Sequence, residues 1–178
     1  MKLQQLKLVM LAVFTLIPFL MYAQTSTLTK VPINTLNQNP MGYIEYLPEN
    51  FDSSGNTKYP LLYWLHGLGN AGSGSESDLQ KLYDTQIADW LKTNDIPFIV
   101  IVPQHFNGYF SQGILSTFSQ WVNTEYSSVI DPYQKHMAGL SGATFGMASY
   151  LVDNDNTFQE FATFTPMAGN FNSALGDA

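Results

Sequence analysis

Gly139-Leu140-Ser141-Gly142-Ala143 decides how this sequence is read. His136-Met137-Ala138 before it reads as the end of a buried strand, and Thr144 to Val152 after it reads as a helix. A serine on a sharp strand-to-helix turn presents its hydroxyl for attack on a substrate. The small flanking residues have a physical purpose, because strand and helix close up behind the serine and bulky neighbours would clash. Ala143 departs from the G-x-S-x-G pattern, which ends in glycine. The same five residues also suit a tight turn with a capping serine. The surrounding chain has to separate the two readings.

Upstream, Gly42 to Leu47 alternates as a strand does and is closed by Pro48. Tyr59 to Leu65 is a continuous apolar run, the pattern of a strand buried on both faces. A glycine-rich loop, His66 to Ser77, follows it. Asp78 to Lys92 carries apolar residues at helical spacing, with Ser77 placed to cap its start. Phe98 to Val102 reads as a second buried strand between Pro97 and Pro103, and Ile114 to Tyr126 as a second helix. Gln134 to Leu140 leads into the turn at Ser141, and Phe161 to Met167 reads as a last strand. Strands alternating with helices predict an α/β fold with a mainly parallel sheet and helices on both faces. Sites in such sheets lie beyond the C-terminal strand ends. The loops at His66 to Ser77, Pro103 to Phe110 and Ser141 all fall there, which favours the reactive reading of Ser141.

The bulk properties narrow the chemistry. The sequence has 178 residues, 45% hydrophobic and 12% charged, enough for one domain with a sizeable core. The net charge is −7 and arginine is absent, which argues against nucleic-acid or phosphate recognition and for a neutral substrate. Lys2 and Lys7 precede an apolar run from Leu8 to Leu20, and Met21-Tyr22-Ala23 ends it. That is the plan of an export signal over residues 1–23, cleaved before Gln24, so the protein is expected to be secreted or periplasmic. The run is short for a membrane span, which needs about 20 apolar residues. Residues 24–40 are expected to be a loose polar lead-in, and 41–178 the folded domain. With no cysteine, disulfides and a cysteine-linked lipid anchor are excluded.

Four segments together resemble the secreted esterase branch of the α/β-hydrolase superfamily. They are Tyr59 to Gly69, Pro97 to Gln104, Ile130-Asp131-Pro132 with Gly139 to Ala143, and Phe161 to Gly169. Similar proteins include feruloyl and acetylxylan esterases, polyhydroxybutyrate-depolymerase-like and dienelactone-hydrolase-like proteins, and predicted peptidases. The resemblance implies that Ser141 is the catalytic nucleophile. It implies an oxyanion hole made by the backbone N–H groups of Leu68 and Gly142, and ester hydrolysis through an acyl-enzyme. It implies no cofactor and no metal.

The departure is as informative. In that superfamily the order is serine, then acid, then histidine. After Ser141 this sequence has Asp153, Asp155, Glu160 and Asp177 but no histidine. The expectation is an N-terminal portion of the fold with its C-terminal strands missing. The intact protein would then supply the histidine and acid, leaving this portion alone inactive. The alternatives are a catalytically dead binding protein on the same fold, and a serine peptidase. His66 is expected to hold its loop, and His136 to be a satisfied core or edge residue. Gln104 and His105 are expected to line the binding cleft, Tyr109 and Phe110 to form an aromatic wall, and Trp64, Trp90 and Trp121 to be core. The expected partner is a small-molecule or carbohydrate-linked ester.

Overall fold

The computed structural model describes residues 25–152 and 157–169. The export signal and the acids Asp153, Asp155 and Asp177 lie outside the described residues. Six strands form one sheet: β1 (Thr27–Val31), β2 (Tyr43–Leu47), β3 (Tyr59–Leu65), β4 (Ile99–Pro103), β5 (Ile130–Leu140) and β6 (Thr163–Met167). Their spatial order is β1-β2-β4-β3-β5-β6. Strands β4, β3, β5 and β6 run parallel, while β1 and β2 join as antiparallel neighbours. The lead-in is not loose. Thr27–Val31 pairs with β2 from Thr27↔Leu47 to Val31↔Tyr43. Its polar, half-buried side chains suit an edge strand and carry little hydrophobic signal.

The helices are α1 (Glu76–Tyr83), α2 (Gln86–Thr93), α3 (Gln112–Glu125), α4 (Ala143–Val152) and the short α5 (Thr157–Glu160). The single helix expected over Asp78 to Lys92 is two. Thr85 ends the first and caps the second by accepting the Ala88 N–H, and Ser75, not Ser77, accepts the Asp78 N–H at the start of α1. The apolar spacing continues across the break because Leu79, Leu82 and Leu91 all face the sheet.

Strand side chains alternate between two cores. Ile99 and Ile101 join Tyr63, Phe118 and Met147 beneath α3 and α4, whereas Val100 and Val102 join Ile44 and Leu82 beneath α1 and α2. β4 is buried along its whole length. β3 is not: Tyr59, Leu61, Tyr63 and Leu65 are buried, but Leu62 and Trp64 on the other face are only half-buried. Trp90 is 47% exposed and is no core residue.

Within the α3–α4 core lies a buried polar knot. Lys135, 6% exposed, donates to Glu160 Oε1 (3.3 Å) and Asn123 Oδ1 (3.1 Å). Glu160 also accepts from Ser119, from Asn123 (3.1 Å) and from Tyr150 (2.6 Å). Burial would raise the Glu160 pKa, but the Ser119 and Tyr150 hydrogen bonds and the Lys135 charge outweigh it and hold the carboxyl below its ordinary 4.5. A carboxyl with a lowered folded pKa stabilises the fold above its unfolded pKa and loses that contribution as pH falls. Lys135→Met should therefore destabilise the protein by about 3 kcal/mol at pH 7, by stranding a carboxylate, and should weaken the loss of stability below pH 4.5. Urea unfolding of both proteins at pH 7 and pH 4 reads this directly.

Candidate active site

The parallel strands deliver their C-terminal ends to one edge. The loops after Leu65, Pro103, Leu140 and Met167 meet there. Ser141 follows β5 with φ = +56°, the left-handed region that costs a non-glycine residue about 1–2 kcal/mol. Neighbours hold it in place. Its N–H donates to the Met167 carbonyl (2.9 Å), and its own carbonyl accepts from the Thr144 N–H (3.0 Å) and Thr144 Oγ1 (2.6 Å). Ser141 is exposed although Gly142, Ala143 and Thr144 are buried. The departure at Ala143 is tolerated because its methyl faces Gly139, where even an added β-carbon would stand 3.4 Å away.

Gly67 lies directly against this turn. A β-carbon on it would be 3.2 Å from Ser141 Cβ and 3.8 Å from Ser141 Oγ. Leu68 opens the next short turn, Leu68–Asn70, so its N–H has no partner within that turn. Among the described residues neither the Leu68 nor the Gly142 N–H donates to another backbone carbonyl. The Leu68 N–H follows Gly67 and the Gly142 N–H follows Ser141, so the two groups belong to the residues next to that contact.

Each histidine has a distinct place. His66 Nε2 accepts the His105 N–H (3.0 Å), so Nδ1 carries the proton and donates to the Gly67 carbonyl (2.7 Å). Burial lowers its pKa, which keeps the ring neutral for this double role. It holds the Gly67 loop, and both nitrogens are spent. His136 Nδ1 meets Thr163 Oγ1 (2.8 Å), five residues upstream on β5 and therefore about 17 Å from Ser141. His105 is 6% exposed and packs between Phe106 and Phe110. Gln104, expected to line the binding cleft, is buried and borders a cavity beside His105. Its amide donates to Asn70 O (3.0 Å) and Asp78 O (2.9 Å) and accepts from Gly74 N–H (3.0 Å), tying down the glycine-rich loop. Phe110 is fully buried and is part of the core, so it forms no wall of a cleft. Tyr109 remains at the edge, beside Gly142, and Phe106, with no pattern in the sequence to mark it, is 70% exposed. Glu160 is committed to Lys135 and its neighbours. Among the described residues no cluster of acids and histidines has metal-binding geometry, and no helix is long and apolar enough to cross a membrane.

A cleft of about 340 Å³ opens beside the turn, lined by His66, Asn70, Leu82, Thr85 and Leu140 among others. Across from it, Gly108 (φ = +68°) packs on the Leu68 backbone, where an added β-carbon would lie 2.9 Å from Leu68 N. Gly108→Ala should therefore displace that N–H. In a working enzyme it should lower kcat by up to about 10²-fold with little change in KM, as steady-state kinetics would show.

No known family profile matches the chain, and no curated protein matches it in sequence. Solved structures do. A ferulic acid esterase superposes with a TM-score of 0.53 at 21% identity, over 83% of this chain and 60% of its own. A thermostable esterase gives 0.51 at 18% identity, over 78% and 40%. A bacterial heroin esterase gives 0.51 at 16% identity, over 90% and 50%. This is the α/β-hydrolase fold. The chain spans between 40% and 60% of the length of these three structures. It is a partial α/β-hydrolase fold, and Ser141 occupies its strand-to-helix turn after β5.

Proposed function

We propose that the intact protein is a serine hydrolase acting on carboxylic esters. The observation that carries this reading is Ser141 itself: exposed, held at φ = +56° by Met167 and Thr144, and packed against Gly67, with the Leu68 and Gly142 N–H groups making no backbone hydrogen bond among the described residues. Strain of this kind persists where surrounding structure enforces it, and it clusters at functional sites. Ser141 Oγ adds to the ester carbonyl as a base removes its proton. The resulting oxyanion accepts from the Leu68 and Gly142 N–H groups, each worth about 3–4 kcal/mol in comparable sites. The alcohol leaves with the proton, and water then releases the acid from the acyl-serine.

His66 cannot be the base while both its nitrogens are engaged, His136 is too far away, and His105 borders a separate cavity that Ser141 does not line. The proposal assigns the base and its acid partner to none of the described residues. Export is part of the proposal too, since Leu8 to Leu20 suits a signal; a mature form beginning at Gln24, by mass, checks it. The acidic, arginine-free composition suits a neutral ester.

A second reading, a binding protein that keeps the fold without the chemistry, is favoured by the same unassisted serine. Assays of the intact protein with p-nitrophenyl acetate and a peptide p-nitroanilide in parallel separate the readings. Ester turnover that vanishes in Ser141→Ala supports the proposal. Amide turnover of equal efficiency favours a peptidase, and no turnover of either favours the binding protein.

A further inference from the structure

Next to the reaction edge the loops frame a second, half-open cavity of about 240 Å³. Ile33, Pro40, Met41 and Ile114 give it apolar walls, Phe106 lies at its outer side, and His105 borders it. The walls are built, not incidental. Asn39, fully buried, bonds the Thr35 and Leu36 N–H groups and the Pro32 and Met41 carbonyls, which fixes the segment carrying Ile33, Pro40 and Met41. Ile33 N–H donates to Gly74 O (2.9 Å), and Gly72 N–H donates to His105 O (3.1 Å).

His105 is the anomaly in this frame. It is 94% buried, yet neither ring nitrogen has a hydrogen-bond partner. His66, comparably buried and bonded to its backbone, has both nitrogens satisfied. Burial lowers the His105 pKa, with Asn107 opposing weakly, so the ring is neutral. The Asn107 side-chain oxygen accepts the Tyr109 N–H (2.9 Å), and Asn107 makes no hydrogen bond of ordinary geometry to the ring. A neutral imidazole offers one donor and one acceptor. Buried polar groups left unpaired each cost about 1–3 kcal/mol, and a ligand hydroxyl that pairs one of them recovers its share.

The chemistry of the cavity restricts that ligand. No charged side chain lines it, so an ion would be desolvated without a counter-charge. The cavity's other polar side chains, Ser73 and Gln104, are already bonded to Asp78, Asn70 and Gly74, so a sugar would leave most of its hydroxyls unpaired. An apolar body with one hydroxyl fits, and the volume equals that of about eight waters, enough for a single ring. Phe106 sits over His105 with ring centroids 4.3 Å apart and is 70% exposed, so turning it aside uncovers the nitrogens at little loss of burial.

We propose that this cavity binds a compact, neutral alcohol whose hydroxyl is read by the His105 imidazole. The His105 N–H to His66 Nε2 bond and the His66 Nδ1 bond to Gly67 O link it to the loop beside Ser141. Identifying the alcohol with the leaving group of the ester rests on the serine-hydrolase reading; binding itself does not.

The test uses the full chain, ¹⁵N-labelled at histidine, titrated with benzyl alcohol and with toluene as the control lacking the hydroxyl. Benzyl alcohol should shift the His105 ring ¹⁵N signal of the nitrogen it pairs and leave His136 in place, and should bind about tenfold more tightly than toluene. His105→Phe should erase that tenfold preference. Ile114→Trp, which fills the cavity from an opposite wall, should abolish binding of both even if the His105 variant does not fold. An unmoved His105, equal affinity for the two probes, or binding untouched by Ile114→Trp would overturn the proposal. None of these outcomes depends on turnover, so failure of the hydrolase reading shows separately in the ester assay.

Discussion

Replacing Ser141 by alanine is expected to remove ester turnover by the intact protein, by on the order of 10⁶ in kcat for a nucleophile of this type. Stability should stay within about 0.5 kcal/mol, because alanine keeps the same strained backbone and the Oγ makes no hydrogen bond among the described residues. Ser141→Gly is the sharper companion. It should abolish turnover equally and raise stability by about 1 kcal/mol, since glycine adopts φ = +56° freely. Loss of activity together with a gain in stability is the signature of a residue strained for function. Thermal unfolding beside p-nitrophenyl acetate kinetics for the three proteins reads both effects. Ser141→Gly that unfolds earlier than the parent would show that the turn is not strained.

A large effect on folding is expected at Gly146, in the middle of α4. A β-carbon there would stand 1.9 Å from the Phe110 carbonyl oxygen and 2.8 Å from its carbonyl carbon. Both partners are backbone, so no rotamer change relieves the clash. Gly146→Ala should destabilise by about 3 kcal/mol, lowering Tm by roughly 6–12 °C for a domain of this size. Helix propensity alone has the opposite sign, since alanine is favoured over glycine by about 0.5–1 kcal/mol in a helix interior. Gly113→Ala in α3, with nothing within 4 Å of the new carbon, should show that favourable sign. The two variants measured together by calorimetry separate close packing from propensity. The Gly146 contact also reaches the site, because the Phe110 ring packs on His66 (5.1 Å) and His105 (5.5 Å).

What the sequence disclosed followed from strong local patterns. The Ser141 turn was legible because a buried strand, small residues and a helix follow one another without interruption. β4 was legible because five consecutive apolar residues are buried on both faces. β1 was hidden because Thr27-Leu28-Thr29-Lys30-Val31 lies on an edge and buries little. The break at Thr85 was hidden because both helices present their apolar residues to one sheet face. Phe110 was misread because it sits on a loop at the reactive edge, but loop position does not say which way a side chain turns, and its ring turns inward. The Met167 carbonyl that holds Ser141 is a backbone group brought close only by the pairing of β5 with β6, which leaves no mark in side-chain pattern.

The central claim, that Ser141 is a nucleophile presented to substrate, is tested most directly by covalent capture. The intact protein and its Ser141→Ala variant are treated with a fluorophosphonate and analysed by peptide mass spectrometry. One adduct per molecule is expected, on the peptide containing Ser141, and none on the variant. An intact protein that stays unmodified, or an adduct that forms equally well on the variant, would contradict the claim.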